Sequence, residues 1–295
     1  MENRRRLLPV FEALFVTFLW STSYIIIKWG LKEIPPLFYA GLRYSLAFII
    51  FLPFVIKKNQ IAELKRLTRK DFEKLFLLGF IFYFATQGTQ FIGLSLLPSV
   101  TVSLMLNFTP LAVLAMGIIF LDERPGKIQI VGIVIFLAGT LIYFLPVDLN
   151  NAQLAGMGIM TLGVAANAAA AVLGREINRG HKFTPLTITF VSMGTGSFLL
   201  LLTAIIFEGF PSIGFESWIY ILWLAGINTA LAFTLWNKTL RELTAVESSI
   251  INNTMLIQIA VLSFLFLGES LNAKEITGLI IVIVGAVLVQ KRKRK

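Results

Sequence analysis

The residues that usually carry catalysis are nearly missing from this 295-residue chain. It has no cysteine and one histidine, His181, set among the loop charges of REINRGHK. Thiolate nucleophiles, disulfides, zinc–thiolate sites and iron–sulfur clusters are therefore excluded. No two carboxylates share the interior of one apolar segment, and no Walker sequence is present. No enzyme, metal site or cofactor is expected. What the sequence does offer is recognition chemistry: amides, hydroxyls and aromatics recurring at helical spacing inside long apolar runs.

Those residues fall into stripes. Tyr83, Gln87 and Gln90 recur at i, i+4 and i+7, as do Ser103, Asn107 and Pro110. Thr17, Ser21 and Tyr24 follow the same spacing, with Trp20 beside them. Asn228 and Trp236 share a face through Ala232, Ser249 aligns with Asn253, and Asn167 lies in the small-residue run VAANAAAA. Lipid cannot satisfy polar groups, so these stripes face the interior of a helix bundle. They either line a substrate cavity or make interhelical hydrogen bonds of about 0.6 kcal/mol each. The expected cavity set is Trp20, Tyr24, Tyr83, Gln87, Gln90, Ser103, Asn107, Asn167, Asn228, Trp236 and Asn253.

Three charged residues also fall at or inside apolar runs. Placing a charge at the centre of a spanning helix costs about 2.5–3.5 kcal/mol on insertion scales. Arg43 lies about two turns into its run. It would anchor a substrate carboxylate or phosphate, or serve structurally through an ion pair or helix C-terminal carbonyls. Glu12 and Glu247 lie near run ends; each couples transport to protons if buried, or is simply solvated.

The elements that must position these groups follow from composition. The chain is 57% hydrophobic and only 14% charged, with mean hydropathy +0.81. A soluble surface needs roughly twice that charge, so the solvent is largely lipid. Windows of about 20 apolar residues give ten spans: 9–28, 36–56, 74–94, 98–121, 127–145, 154–174, 184–207, 217–237, 245–267 and 274–290. The segments are apolar on all sides, so they are helices rather than alternating strands. The first run is long, holds Glu12 and lacks a small-x-small site, so it reads as a retained span rather than a signal peptide.

With the N-terminus in the cytoplasm, twenty-two of the 26 Lys and Arg fall on that side. Lys28, Lys32 and Lys274 fall on the other, and Arg43 lies within a span. That asymmetry predicts an even number of spans, both termini cytoplasmic and insertion in the cell membrane. The basic clusters, including the KRKRK tail, set topology and touch anionic headgroups. They call for no nucleic-acid partner.

The two halves repeat. TVSLMLNFTPLAVLAMGIIFLDERPGKIQIVGIVIFLAGT aligns with ESSIINNTMLIQIAVLSFLFLGESLNAKEITGLIIVIVGA. Ser103 matches Ser249, Asn107 matches Asn253, Glu123 matches Glu269, Gly132 matches Gly278 and Gly139 matches Gly285, all at an offset of 146. Residues 1–148 and 149–295 each hold five spans. Five is odd, so the second half enters the membrane from the opposite side, the inverted repeat of secondary transporters. Glu123 and Glu269 each precede a helix and suit its N-terminus. The paired glycines Gly132/Gly139 and Gly278/Gly285 lie on one face and suit close packing.

The run TALAFTLWNKTLRELTAVESSIINNTMLIQIAVLSFLFLGESLNAKEITGLIIVIVGAVL resembles the second EamA-type domain of the drug/metabolite transporter superfamily. LWSTSYIIIKWGL, Arg43 and NFTPLAVLAMGIIFLDERPGKIQIVGIVIFLAGTL resemble its partner domain. The resemblance covers nearly the whole chain. It implies an all-α membrane protein of ten helices in two inverted five-helix repeats. The family carries a similar arginine across unlike substrates, which implies a structural Arg43. In the family a proline like Pro110 is also common at the matching place of the second half, where this chain has Leu256, so the halves are expected to bend differently.

The resemblance further implies a carrier exporting an amino acid or related metabolite by alternating access, with a flippase for a lipid-linked sugar as the alternative. The expected partners are a small-molecule substrate and membrane lipid, with possible proton coupling. The expected state is a monomer or weak dimer.

Overall fold

The computed structural model describes residues 2–121, 126–145, 150–179, 182–239, 242–243 and 245–290. The described residues contain helices and no strand. The first span is Glu2–Gly30 and the second Pro36–Val55. A short polar helix, Lys58–Lys65, precedes the third span, Arg69–Leu96. The fourth span is Ser99–Leu106 continued by Thr109–Leu121, the fifth Lys127–Phe144, the sixth Asn151–Arg179 and the seventh Pro185–Glu208. The eighth covers 215–239, the ninth is Ala245–Leu267 and the tenth Ala273–Gln290.

Among the described residues nine helices are long and apolar enough to cross a membrane, and the ninth span adds the shorter apolar stretch Ile251–Leu267. Large apolar side chains such as Phe207 and Ile119 stand mostly outward, as a lipid surround favours. The chain is a ten-helix, all-α integral membrane protein.

Local chemistry sets the helix boundaries. Pro36 and Pro185 open the second and seventh spans at the first helical position, where a missing N–H costs nothing. Thr68 and Asp71 form a capping box at the start of the third span. The fourth span breaks at Asn107–Phe108, just before Pro110. Proline cannot donate to the carbonyl four residues back and crowds it. Leu256, at the matching place, leaves the ninth span continuous.

Two spans contain a wider, π-helical stretch: Phe80–Thr86 in the third and Gly226–Leu231 in the eighth. Their first residues are 146 apart, the same offset as the sequence repeat. Hydroxyls tie each stretch to a carbonyl five residues back: Thr86 Oγ1 donates to the Ile81 carbonyl at 3.0 Å and Thr229 Oγ1 to the Leu224 carbonyl at 2.9 Å. Such insertions concentrate at functional sites.

The chain forms two compact units. One comprises Met1–Ile25, Leu96–Met157 and Ala232–Lys295; the other comprises Ile26–Ser95 and Gly158–Leu231. Each unit therefore draws on both sequence halves.

In the first unit, the fifth span packs against the tenth around Phe136, Tyr143, Leu279, Val282 and Ala286. Glycines set the approach. A Cβ on Gly139 would lie 2.7 Å from the Val282 nitrogen, and one on Gly278 would lie 2.8 Å from the Tyr143 nitrogen. Gly285 meets Phe136 in the same way, and a Cβ on Gly132 would lie 2.6 Å from the Val289 nitrogen. Numbers rise along one helix as they fall along the other, so the matched helices run antiparallel.

The second unit repeats the device. The second span packs against the seventh, with Gly41 beside Leu201 and Gly194 beside Phe48. This pair is antiparallel too, and Phe48 and Gly194 are themselves 146 apart. The third span also packs on the seventh, and the eighth on the second.

Candidate substrate-binding groups

The second unit holds a buried charge. Arg43 is 4% exposed and is the one charged side chain buried among the described residues. Its Nε donates to Thr229 Oγ1 at 3.0 Å, on the π-helical stretch of the eighth span. The guanidinium carbon lies 5.2 Å from the Tyr44 ring centre and 6.0 Å from that of Phe91, a spacing at which a ring attracts a cation. No carboxylate among the described residues pairs with it. The structural ion pair weighed for Arg43 is therefore not found there.

Around this group lie several of the expected cavity residues. Tyr44 Oη donates to Gln87 Oε1 at 2.6 Å, and its ring meets that of buried Tyr83 edge-on at 5.5 Å. Asn228 is fully buried next to Thr229. Gln90 and Asn167 belong to the same unit and are half-buried. Tyr44, Phe91 and Thr229 were not singled out from sequence. Tyr44 adjoins Arg43 in the chain, but only the fold brings the third and eighth spans to it.

The first unit brings other candidates together. Trp20 stacks obliquely on Phe233 at 5.4 Å and on Trp236 at 5.1 Å. Gln258 links two spans: its Oε1 accepts from Ser21 Oγ at 2.9 Å, and its Nε2 donates to Thr17 Oγ1 at 3.3 Å and to Thr254 Oγ1 at 3.1 Å. Part of the first-span stripe is thus spent on interhelical bonds, while Tyr24 is buried. Asn107 Nδ2 donates to the Ser103 carbonyl at 2.9 Å beside the break of the fourth span. Ser103 is buried, and so is Asn253, whose Nδ2 has no partner among the described residues.

Glu12 is tied down by Lys238, 2.6 Å away. The Glu247 side chain, Glu123 and His181 lie outside the described residues. A cleft of about 290 Å³ opens among Pro98, Thr101, Tyr143, Gln153, Lys274 and Glu275. None of the expected cavity residues lines it.

Carboxylates tie helix ends from opposite sequence halves. Glu269 accepts from the Ser99 N–H at 2.9 Å and so caps the fourth span. It does not cap the helix that follows it, where Asn272 and Glu275 bond reciprocally; Gly268, at φ +68°, turns the chain just after the ninth span. Glu208, ending the seventh span, accepts from Leu37 N at 3.1 Å and Phe38 N at 2.7 Å at the start of the second. Glu63 accepts from Thr184 N and Thr187 Oγ1 at the start of the seventh. Glu33 accepts from Ser217 Oγ and Gly214 N at the start of the eighth. The Ser217 hydroxyl, and then the Gly214 N–H, hold the Glu33 carboxyl below its usual range. Each places negative charge on exposed N–H groups.

Comparison with known proteins places this architecture. The model of the EamA-like transporter family matches residues 7–145 and 149–290. A protein of Archaeoglobus fulgidus described as an uncharacterized transporter is 26% identical over 95% of this chain and 98% of its own length. A probable amino-acid metabolite efflux pump of Salmonella typhimurium is 26% identical over 93% and 92%. An S-adenosylmethionine/S-adenosylhomocysteine transporter of Chlamydia trachomatis is 24% identical over 89% and 83%. One crystal structure shares the fold over 96% of this chain and 97% of its own, with a TM-score of 0.69 at 15% identity.

Proposed function

The chain belongs to the EamA-like transporter family, and on that premise we propose that it carries an amino acid or related small metabolite across the cell membrane by alternating access. Both termini are cytoplasmic, as the Lys and Arg asymmetry favours, and residues 1–148 and 149–295 are its two inverted repeats. One observation carries the reading. Matched helices of the two halves, fifth with tenth and second with seventh, pack antiparallel through glycines. Two similar halves of opposite orientation can exchange conformations, so one binding site opens to either side.

The candidate groups suit a small solute. Arg43, Tyr44, Tyr83, Gln87 and Asn228 supply one charge, aromatic faces and amides, which is how small-molecule sites fix orientation. The names of the Salmonella and Chlamydia relatives support a metabolite rather than an inorganic ion. The Glu12 carboxylate is committed to an ion pair with Lys238.

The test is counterflow in liposomes loaded with a mixed amino-acid pool. Saturable uptake of labelled amino acids that outlasts ion gradients is expected. Uptake of no amino acid, together with scrambling of a fluorescent lipid, would replace the carrier reading with a flippase.

A further inference from the structure

We infer that Arg43 is the receptor for a carboxylate on the transported solute, held in place by Thr229 on the π-helical stretch of the eighth span. This rests on the transporter reading above and adds the chemical class of the substrate.

A guanidinium has five N–H donors in a planar fork. In Arg43 the Nε donor is committed to Thr229 Oγ1 at 3.0 Å. Two aromatic rings, Tyr44 and Phe91, lie within 6.0 Å of its central carbon. Among the described residues no carboxylate neutralises it, although it is 96% withdrawn from the surface. A buried charge persists only when something compensates it. Two aromatic faces and one hydroxyl compensate a guanidinium partly. The remaining edge of the fork matches a carboxylate bidentately. Tyr44 Oη is already turned away to Gln87 Oε1 at 2.6 Å, so it does not compete for that edge.

Thr229 acts as a positioning residue. Its hydroxyl accepts from Arg43 and donates to the Leu224 carbonyl, five residues back. Only the widened turn places that carbonyl within reach of the hydroxyl, which fixes the direction of the oxygen lone pair facing Arg43. One guanidinium supplies one positive charge, which balances a carboxylate and leaves a phosphate dianion half-neutralised. The group that Arg43 receives is therefore a single carboxylate and not a phosphate.

The test measures binding to the purified full chain in nanodiscs, by calorimetry, with benzoate and benzamide as probes. The two have the same ring and nearly the same outline, and differ in charge. Benzoate is expected to bind, and benzamide to bind at least about tenfold more weakly. Arg43→Gln should abolish the preference. Because that variant can fail to fold, Thr229→Val is measured as well: it keeps the charge, and benzoate affinity should fall several-fold while that of benzamide stays unchanged. Equal affinities for the two probes, no benzoate binding, or tighter binding of inorganic phosphate would each overturn the inference. Arg43-dependent benzoate binding by a protein that moves no solute in liposomes would overturn the transporter reading and leave the carboxylate receptor standing. Transport of amines lacking a carboxylate as fast as amino acids would do the reverse.

Discussion

The third and eighth spans carry the same backbone device at matching places and use it differently. In the third, the π-helical stretch Phe80–Thr86 is pressed against the seventh span. Gly79 lies against the Ser192 carbonyl, and Gly196 lies against the Gly79 carbonyl and the Tyr83 Cβ. That seam brings backbone close against backbone. In the eighth, the residues matching Gly79 and Tyr83 are Ala225 and Thr229, and a Cβ on Gly226 would meet only the tip of Ile50, at 4.0 Å. The glycine seam is gone, and the contact with the second span includes a hydrogen bond from Arg43 to Thr229. Duplication supplies two equivalent turns. One became a packing joint, and we read the other as a binding group.

The fourth and ninth spans differ in the same spirit. Pro110 breaks one, Leu256 keeps the other whole, and Asn107 and Asn253 stand at matching places beside them. Asn107 bonds its own helix, whereas Asn253 Nδ2 has no partner among the described residues.

Gly196→Leu breaks the comparison most severely. It forces a side chain into the Gly79 and Tyr83 backbone, where neither can move aside, and should cost about 3 kcal/mol. Thermal unfolding of the purified protein should show a large drop, or the protein should fail to accumulate. Ile50→Leu, on the second span beside Gly226, keeps its volume and should cost less than about 1.5 kcal/mol in the same assay. Equal losses at the two places would mean that the seams are equivalent after all.

Thr229→Val comes next. It removes the acceptor of a buried charge and should cost about 2 kcal/mol. Tyr83→Phe, the matching change in the third span, should cost less than half of that. A denaturant titration of both variants orders them.

Glu208→Gln removes a charged cap from the second span and should cost about 1 kcal/mol, read as a modest fall in unfolding midpoint. The smallest effect belongs to Glu33 and shows only against pH. Its carboxyl is held below the usual range by Ser217 and Gly214. The stabilisation is therefore complete above the unfolded-state value and lost as pH falls through the lower folded-state value. Unfolding midpoints followed down the acid limb should fall less steeply in Glu33→Gln than in the parent. Parallel curves would remove Glu33 from the account.

The ten spans were legible because lipid imposes a simple length and polarity rule on every residue. The break at Pro110 was legible because proline acts locally. The glycines at 132, 139, 278 and 285 showed on one face because seven residues make nearly two turns. The π-helical stretches were not legible: neither FIFYFAT nor GINTAL carries a local mark distinguishing a wide turn from an ordinary one. The target of Glu269 also lay beyond the sequence, since the N–H it satisfies belongs to a helix 170 residues away in the chain. Arg43 was legible as a costly charge, but not the absence of a carboxylate beside it among the described residues, which only packing decides.

The most direct test of the central claim needs no variant. Liposomes holding the protein are loaded with leucine, and counterflow uptake of labelled leucine is compared with that of labelled isopentylamine, the same molecule without its carboxylate. The account predicts saturable uptake of leucine and little of the amine. Equal uptake of both, or uptake of the amine alone, would contradict it.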